Sequence, residues 1–116
     1  MTIERFEEIQ AWQKARELSI FAYGCFHNNR DFRFKDQMQS AAVSIMNNIA
    51  EGFERKGNKE FARFLYMSKG SSAEVRSMLY LALELKYISK DQFDKMYLLA
   101  LEISKMLSGF IRTLRT

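Results

Sequence analysis

The sequence contains no proline, one cysteine and one histidine among its 116 residues. The lack of proline removes the residue that most often breaks a helix. Cys25 alone cannot form an intrachain disulfide or a thiolate metal cluster, and we expect it to be a buried small hydrophobic residue rather than a reactive thiol. His27 alone cannot supply the two Glu-x-x-His pairs of a di-iron carboxylate bundle, so that kind of metal site is excluded.

Long apolar runs are also missing, since none approaches the roughly 18 residues that span a bilayer. The first ten residues, MTIERFEEIQ, contain acidic side chains where a signal peptide has a basic and then an apolar stretch. We therefore expect a cytoplasmic protein without a membrane partner. The chain is 47% hydrophobic and 28% charged, which is typical of a globular protein rather than a disordered one. Its length predicts one domain covering residues 1–116.

Apolar residues repeat at helical spacing in the first half of the chain, in two segments. The first helix is predicted from about residue 6 or 8 to about residue 26, and residues 27–31 are predicted to form a loop in which Asp31 can cap the next helix. The second helix is predicted from near residue 34 to between residues 52 and 56. The apolar seam of the first is Ile9, Trp12, Ala15, Ser19, Ala22 and Phe26, and that of the second is Met38, Ala41, Ala42, Ile45 and Ile49.

Two more helices are predicted in the second half. The third runs from about residue 59 to residue 86, and either Gly57 or Asn58 is its N-cap, with Glu60 in place for a capping box. Ser89 and Gln92 form a recognisable capping box for the fourth. The seam of the third is Phe61, Leu65, Ser68, Ser72, Val75, Leu79 and Ala82, and that of the fourth is Phe93, Met96, Ala100, Ile103, Leu107, Phe110 and Leu114.

Short connections between helices of similar length favour antiparallel neighbours, so the predicted fold is all-α, an antiparallel up-down-up-down four-helix bundle. The alternating steps of three and four residues are typical of a left-handed bundle. Small residues at positions 70–73 would allow a neighbouring helix to approach the third helix closely, which would explain the unfavourable Gly70 inside it.

Four blocks in order carry a resemblance to a known family. They are AWQKAREL at residues 11–18, Gln37 followed by AAVSI and NIAEG in the second helix, KEFARFL at residues 59–65, and GSSAE at residues 70–74. On these blocks the chain resembles the 23S rRNA intervening-sequence proteins, small bacterial four-helix bundles also described as ribosomal proteins. Met46 departs from the family pattern, where proline is frequent, and Gly57 stands where serine is usual; Met46 implies a less kinked second helix.

The resemblance implies a homo-oligomer, typically a pentamer, with no enzymatic activity and no cofactor. A related protein is the basic accessory protein of diversity-generating retroelements, which works with a reverse transcriptase and nucleic acid. The resemblance thus suggests RNA or a ribonucleoprotein as a partner, and no small-molecule substrate. It does not show that the protein is part of the ribosome.

Polar residues of the shared blocks lie near the helix seams, and a bundle could join some of them in a buried hydrogen-bonded network. We expect such a network to fix the register of the helices. The alternative makes Glu51 and Glu74 a carboxylate pair for acid-base or metal chemistry, and we favour the structural role. The residues of the predicted network are Arg16, Gln37, Asn48, Glu51 and Glu74.

The formal net charge is +4 and the pI is near 9.3, which is basic without being extreme. Basic residues cluster from the end of the second helix into the third and at the end of the fourth. In a single chain, these residues are most simply explained as solvated surface charges. In an oligomer, the basic patch is repeated, and the affinity for phosphates rises steeply with the number of neutralised charges. The nucleic-acid-binding candidates are Arg55, Lys56, Lys59, Arg63, Lys69, Lys105, Arg112 and Arg115.

Apolar residues outside the seams of the third and fourth helices, such as Tyr66, Tyr80, Leu81 and Leu98, exceed what one core can bury and predict self-association. Three functions remain open. The first is a homo-oligomeric scaffold that binds RNA or another nucleic acid without sequence specificity. The second is a protein-protein adaptor whose apolar helix faces hold a partner protein. The third, which we favour least, is an enzyme that uses Glu51, Glu74 or His27.

Overall fold

The computed structural model describes residues 2–115 and contains four long helices joined by short turns. A 3-10 turn, Phe6–Glu8, precedes α1 (Gln10–Cys25), α2 (Phe32–Phe53), α3 (Asn58–Glu84) and α4 (Lys90–Thr113). Each helix packs against its two neighbours in the order α1, α2, α3, α4 and back to α1. The result is the predicted antiparallel four-helix bundle, with principal extents of 45 × 21 × 19 Å. None of the helices in this part of the chain could span a membrane.

The helix starts show which local predictions were right. Asp31 caps α2, because its carboxylate accepts a hydrogen bond from the Phe34 backbone N–H at 3.1 Å. The Ser89 and Gln92 capping box of α4 is confirmed, with hydrogen bonds of 3.1 and 2.9 Å. Gly57 is the N-cap of α3 at φ +86°, a conformation that glycine adopts without strain.

Two predicted starts were wrong. α1 begins at Gln10 rather than at residue 6 or 8, because Ile9 leaves the 3-10 turn in an extended conformation that buries its own side chain in the core. The capping box predicted at the start of α3 does not form, since Gly57 has no side chain to accept a hydrogen bond and Glu60 is hydrogen-bonded to Arg63 instead.

The core consists mainly of the predicted seams. Every seam residue of α2 and α3 is buried. In α1, Leu18 is fully buried while Trp12 is partly exposed beside the Phe6 ring, 5.2 Å away between centroids. In α4, Phe110 and Leu114 of the predicted seam are only half-buried. Ile111, which lies outside that seam, is buried.

Buried serines join α3 to both neighbours. The Ser68 hydroxyl donates to the Ile45 carbonyl of α2 at 2.7 Å, and the Ser72 hydroxyl donates to the Ala100 carbonyl of α4 at 2.8 Å. The expectation that Gly70 serves close packing within the chain was wrong, because a Cβ added there would meet nothing within 4 Å. Gly70 lies on the exposed face of α3.

α2 and α3 approach each other closely at Gly52 of α2. A Cβ added to Gly52 would lie 2.5 Å from the Phe64 Cβ of α3 and 3.1 Å from the Phe61 ring. Only glycine fits this contact without moving α3. The sequence patterns did not predict this role, since Gly52 is not a member of the apolar seam.

At the end of the bundle opposite Gly52, a hydrogen bond joins two turns. The Tyr87 hydroxyl, in the turn between α3 and α4, donates to the Asp31 carboxylate at 2.7 Å. This hydrogen bond, followed by the one from the Phe34 backbone, lowers the pKa of Asp31 below its usual value. The same contact raises the pKa of Tyr87.

We expect Gly52→Ala to lower the free energy of unfolding by about 1 to 3 kcal/mol, the usual range for overpacking a core. Gly24→Ala is the matched control, because the added methyl group meets nothing within 4 Å and alanine favours helix by about 1 kcal/mol over glycine. Urea unfolding followed by circular dichroism measures both variants. Equal stability of the two variants would contradict the close contact.

Acid should weaken the Asp31–Tyr87 hydrogen bond, because it protonates the Asp31 carboxylate. Because the folded-state pKa of Asp31 is lowered, its contribution to stability is present above the unfolded-state pKa near 4 and is lost as the pH falls through the folded-state pKa. We expect stability to fall less between about pH 5 and pH 3 in Asp31→Asn than in the native protein. Asparagine keeps the capping hydrogen bond, so identical pH dependence in the two proteins would contradict this role of Asp31.

Candidate nucleic-acid interface

One end of the bundle gathers most of the basic candidates. The antiparallel topology places the end of α2, the start of α3 and the end of α4 at this end. The Arg115 guanidinium donates to the Tyr66 hydroxyl at 3.3 Å, which shows that the residues after α4 reach α3. We call this region the basic end; its members are Arg55, Lys56, Lys59, Arg63, Arg112 and Arg115.

The ring of Phe64 organises two of these arginines. Arg55 follows α2 and Arg63 belongs to α3, and their guanidinium carbons lie 4.9 and 4.8 Å from the Phe64 ring centroid. Phe64 itself is only 4% exposed. A guanidinium group packed on an aromatic ring keeps its donors in its own plane, where they can contact an anion.

Acidic neighbours hold both arginines in the free chain. Arg55 pairs with Glu51 at 3.1 Å, one helical turn earlier in the chain. Arg63 donates two hydrogen bonds to Glu60, of 3.0 and 3.1 Å. The Arg63 hydrogen bond is the largest cause of the lowered pKa of Glu60, and the charges of Arg55 and Lys59 add to the effect. Both pairs are exposed, so solvent screens them.

The lysines of the basic end differ from the arginines. Lys56 lies in the turn before α3, and Lys59 lies in its first turn; both are exposed. Within residues 2–115, no carboxylate lies within 4 Å of either ammonium group. Their charges are therefore available to an anionic partner without the loss of an ion pair.

Two of the eight candidates do not lie at the basic end. Lys69 is half-buried ten residues after Lys59, about 15 Å farther along α3. Lys105 lies in a shallow groove on α4 with Leu98 and Lys95. A contact of the basic end with nucleic acid would reach these two lysines only if the nucleic acid ran along the bundle.

The five residues predicted to form a buried network are not joined in one. Gln37 and Glu74 form a contact between α2 and α3 at 3.3 Å, but both side chains are exposed. Asn48 donates to Ser44 of its own helix, Glu51 accepts from Arg55, and Arg16 is exposed. The prediction placed these polar residues near the seams, whereas the structure directs most of them to the surface, where water satisfies them.

A carboxylate pair of Glu51 and Glu74 is also absent. Glu74 lies beside Gln37, which precedes Glu51 by fourteen residues of continuous helix, or about 21 Å. His27 lies in the turn after α1, where its backbone carbonyl accepts a hydrogen bond from Lys35. Within residues 2–115, no three His, Cys, Asp or Glu side chains are placed to hold a metal ion.

Cys25 is half-buried at the end of α1, and its thiol has a raised pKa because burial disfavours the thiolate. The charge of Lys95 opposes this effect only in part. A thiol that stays protonated is a poor nucleophile.

The family model for the 23S rRNA-intervening sequence protein matches residues 7–109. The chain belongs to this family. The matched range includes Arg55, Lys56, Lys59 and Arg63 of the basic end, but not Arg112 and Arg115.

A solved structure gives the same fold for a related chain. A crystal structure of a protein of unknown function from the S23 ribosomal protein family of Bacteroides thetaiotaomicron matches with a TM-score of 0.81. The two sequences are 22% identical, and the match covers 87% of this chain and 97% of the other chain. At this identity the likeness shows the fold alone. A comparison with curated proteins gives no match.

Sequence reasoning identified the charged residues of the basic end but missed the side chains that position them. Phe64 lies outside the predicted seam of α3, yet its ring is buried and two guanidinium groups pack on it. The signal in the sequence was the aromatic residue directly after Arg63, combined with a glycine in the neighbouring helix that leaves room for the ring.

Proposed function

We propose that the protein is a non-enzymatic, homo-oligomeric helical scaffold that binds RNA or another nucleic acid without sequence specificity. The observation that carries this proposal is the convergence of six basic side chains, from the turn after α2, the start of α3 and the end of α4 with the residues after it, at one end of the bundle. Lysine and arginine on an exposed surface contact phosphates, which are the same in every sequence. The proposal includes no cofactor or small-molecule substrate, and a cytoplasmic location.

Several copies of the basic end would be needed for firm binding. Glu51 and Glu60 already neutralise two of the arginines in each chain. An assembly in which the basic ends lie side by side multiplies the number of phosphate contacts and thus the affinity. Nucleic-acid binding and self-association are therefore linked parts of one proposal.

Exposed apolar side chains support self-association. Tyr80 is 54% exposed, Leu81 50% and Leu98 66%. Large exposed apolar patches usually mark protein interfaces. Within residues 2–115, the exposed large apolar residues are Ile20, Tyr23, Phe32, Tyr66, Met67, Tyr80, Leu81, Leu85 and Leu98.

The native mass tests self-association. We expect light scattering on dilute protein to give a multiple of the 13.7 kDa chain mass, and the family resemblance implies five chains. Leu81→Asp should lower that mass, because burying an unpaired charge in an interface is costly. Ser40→Asp, which adds the same charge on an exposed position of α2, should not. A native protein of single chains would contradict the proposed assembly.

Single chains would favour the adaptor function, because the same apolar faces would then be free to hold a different protein. In that case a pull-down should recover one defined partner protein, and nuclease treatment should not release it.

Filter binding of structured RNA across a salt series tests the phosphate contacts. We expect affinity to fall as salt rises. The variant Lys56→Gln, Lys59→Gln should lower the slope of log K against log salt by about 0.7 to 0.9 for each phosphate that it no longer neutralises. The control Arg30→Gln, Arg33→Gln removes the same charge from the opposite end of the bundle. Binding that does not respond to salt, or an equal weakening in the two variants, would contradict a site at the basic end.

A further inference from the structure

Tyr66 is an exposed aromatic residue in the third turn of α3, beside the basic end. Its side chain is 51% exposed. The Arg115 guanidinium donates to its hydroxyl at 3.3 Å. Arg63 and Lys69 are three residues before and three residues after it, which places them on the adjoining surface of the same helix. The exposed ring therefore lies beside one guanidinium group that contacts its hydroxyl, and within one helical turn of two further basic residues.

The other aromatic residues of α3 do not offer a free ring to a ligand, and Phe61 is buried. Phe64 is buried under Arg55 and Arg63. Tyr80 is as exposed as Tyr66, but its ring packs against Phe93 and Tyr97, with centroids 5.3 and 5.6 Å away. Among residues 2–115, no aromatic ring and no cation stacks on the Tyr66 ring.

Proteins that bind single-stranded nucleic acid combine these two features. Positive side chains follow the phosphates, and exposed aromatic rings stack on the bases without regard to sequence. A base in a duplex is already paired and stacked on both faces, so it cannot lie on a protein ring without being unpaired first. The combination therefore separates single strands from duplexes.

We propose that Tyr66 is a stacking platform for one base of single-stranded RNA or DNA, with Arg63, Lys69 and Arg115 placed to contact the phosphates on either side of that base. This inference rests on the nucleic-acid binding proposed above and names the form of nucleic acid that the basic end takes. It also gives Lys69 a role, although that residue lies outside the basic end.

The test is fluorescence anisotropy with a labelled RNA of unstructured sequence, used alone and annealed to its complement. We expect the native protein to bind the single strand at least tenfold more tightly than the duplex. Tyr66→Ala should weaken single-strand binding by about tenfold, within the range measured for removal of one stacked base. Tyr66→Phe keeps the ring and should keep the affinity, and Ser77→Ala, at an exposed position of the same helix, should leave it unchanged.

The salt series adds a readout that a general loss of structure would not give. Because Tyr66→Ala removes no charge, its line of log K against log salt should lie parallel to the native line at lower affinity. By contrast, Arg63→Gln should reduce the slope. Circular dichroism confirms that each variant retains its helices.

Each remaining outcome has one meaning. If neither RNA form binds at low salt, the proposed nucleic-acid binding fails and this inference fails with it. If single strand and duplex bind equally well, or Tyr66→Ala binds as the native protein does, the stacking platform is overturned and the proposed function stands. A smaller native mass for Tyr66→Ala would place the ring in a contact between copies and would likewise overturn the platform alone.

Discussion

The close contact between Gly52 and Phe64 is the constraint on which the basic end depends. Gly52 lets α3 approach α2 so closely that the Phe64 ring fits against the helix backbone and is buried. The buried ring then positions the guanidinium groups of Arg55 and Arg63. A single missing side chain in α2 thus determines where two positive charges lie at the surface. The contact also fixes how far α2 and α3 are shifted along each other. These two helices pack against each other more extensively than any other pair in the bundle.

Most of the architecture follows from local patterns in the sequence. The apolar seams of α2 and α3 define the buried faces, because a spacing of three and four residues keeps side chains on one side of a helix. Ser89 with Gln92 and Asp31 mark two helix starts by hydrogen bonds that involve only neighbouring residues. The start of α1 was missed because it depends on a tertiary effect, the burial of Ile9.

The candidate site was predictable in its charges and not in its geometry. Antiparallel topology is enough to bring the ends of α2 and α4 to the start of α3, so six of the eight basic candidates meet. Which polar residues pair across helices could not be read from one sequence, since it depends on the rotation of each helix about its axis. A small rotation directs Gln37 and Glu74 to the surface rather than to the core.

The elongated shape of the bundle limits how much of a strand one chain can cover. Its cross-section is 21 × 19 Å, and the basic end occupies that small face. A strand in a duplex rises about 3.4 Å per phosphate, so such a face spans at most about six phosphates of a single strand, which is more extended. If several chains bind side by side, the length of nucleic acid that they protect should increase with the number of chains. The length of the shortest oligonucleotide that binds firmly would then indicate how many chains bind together.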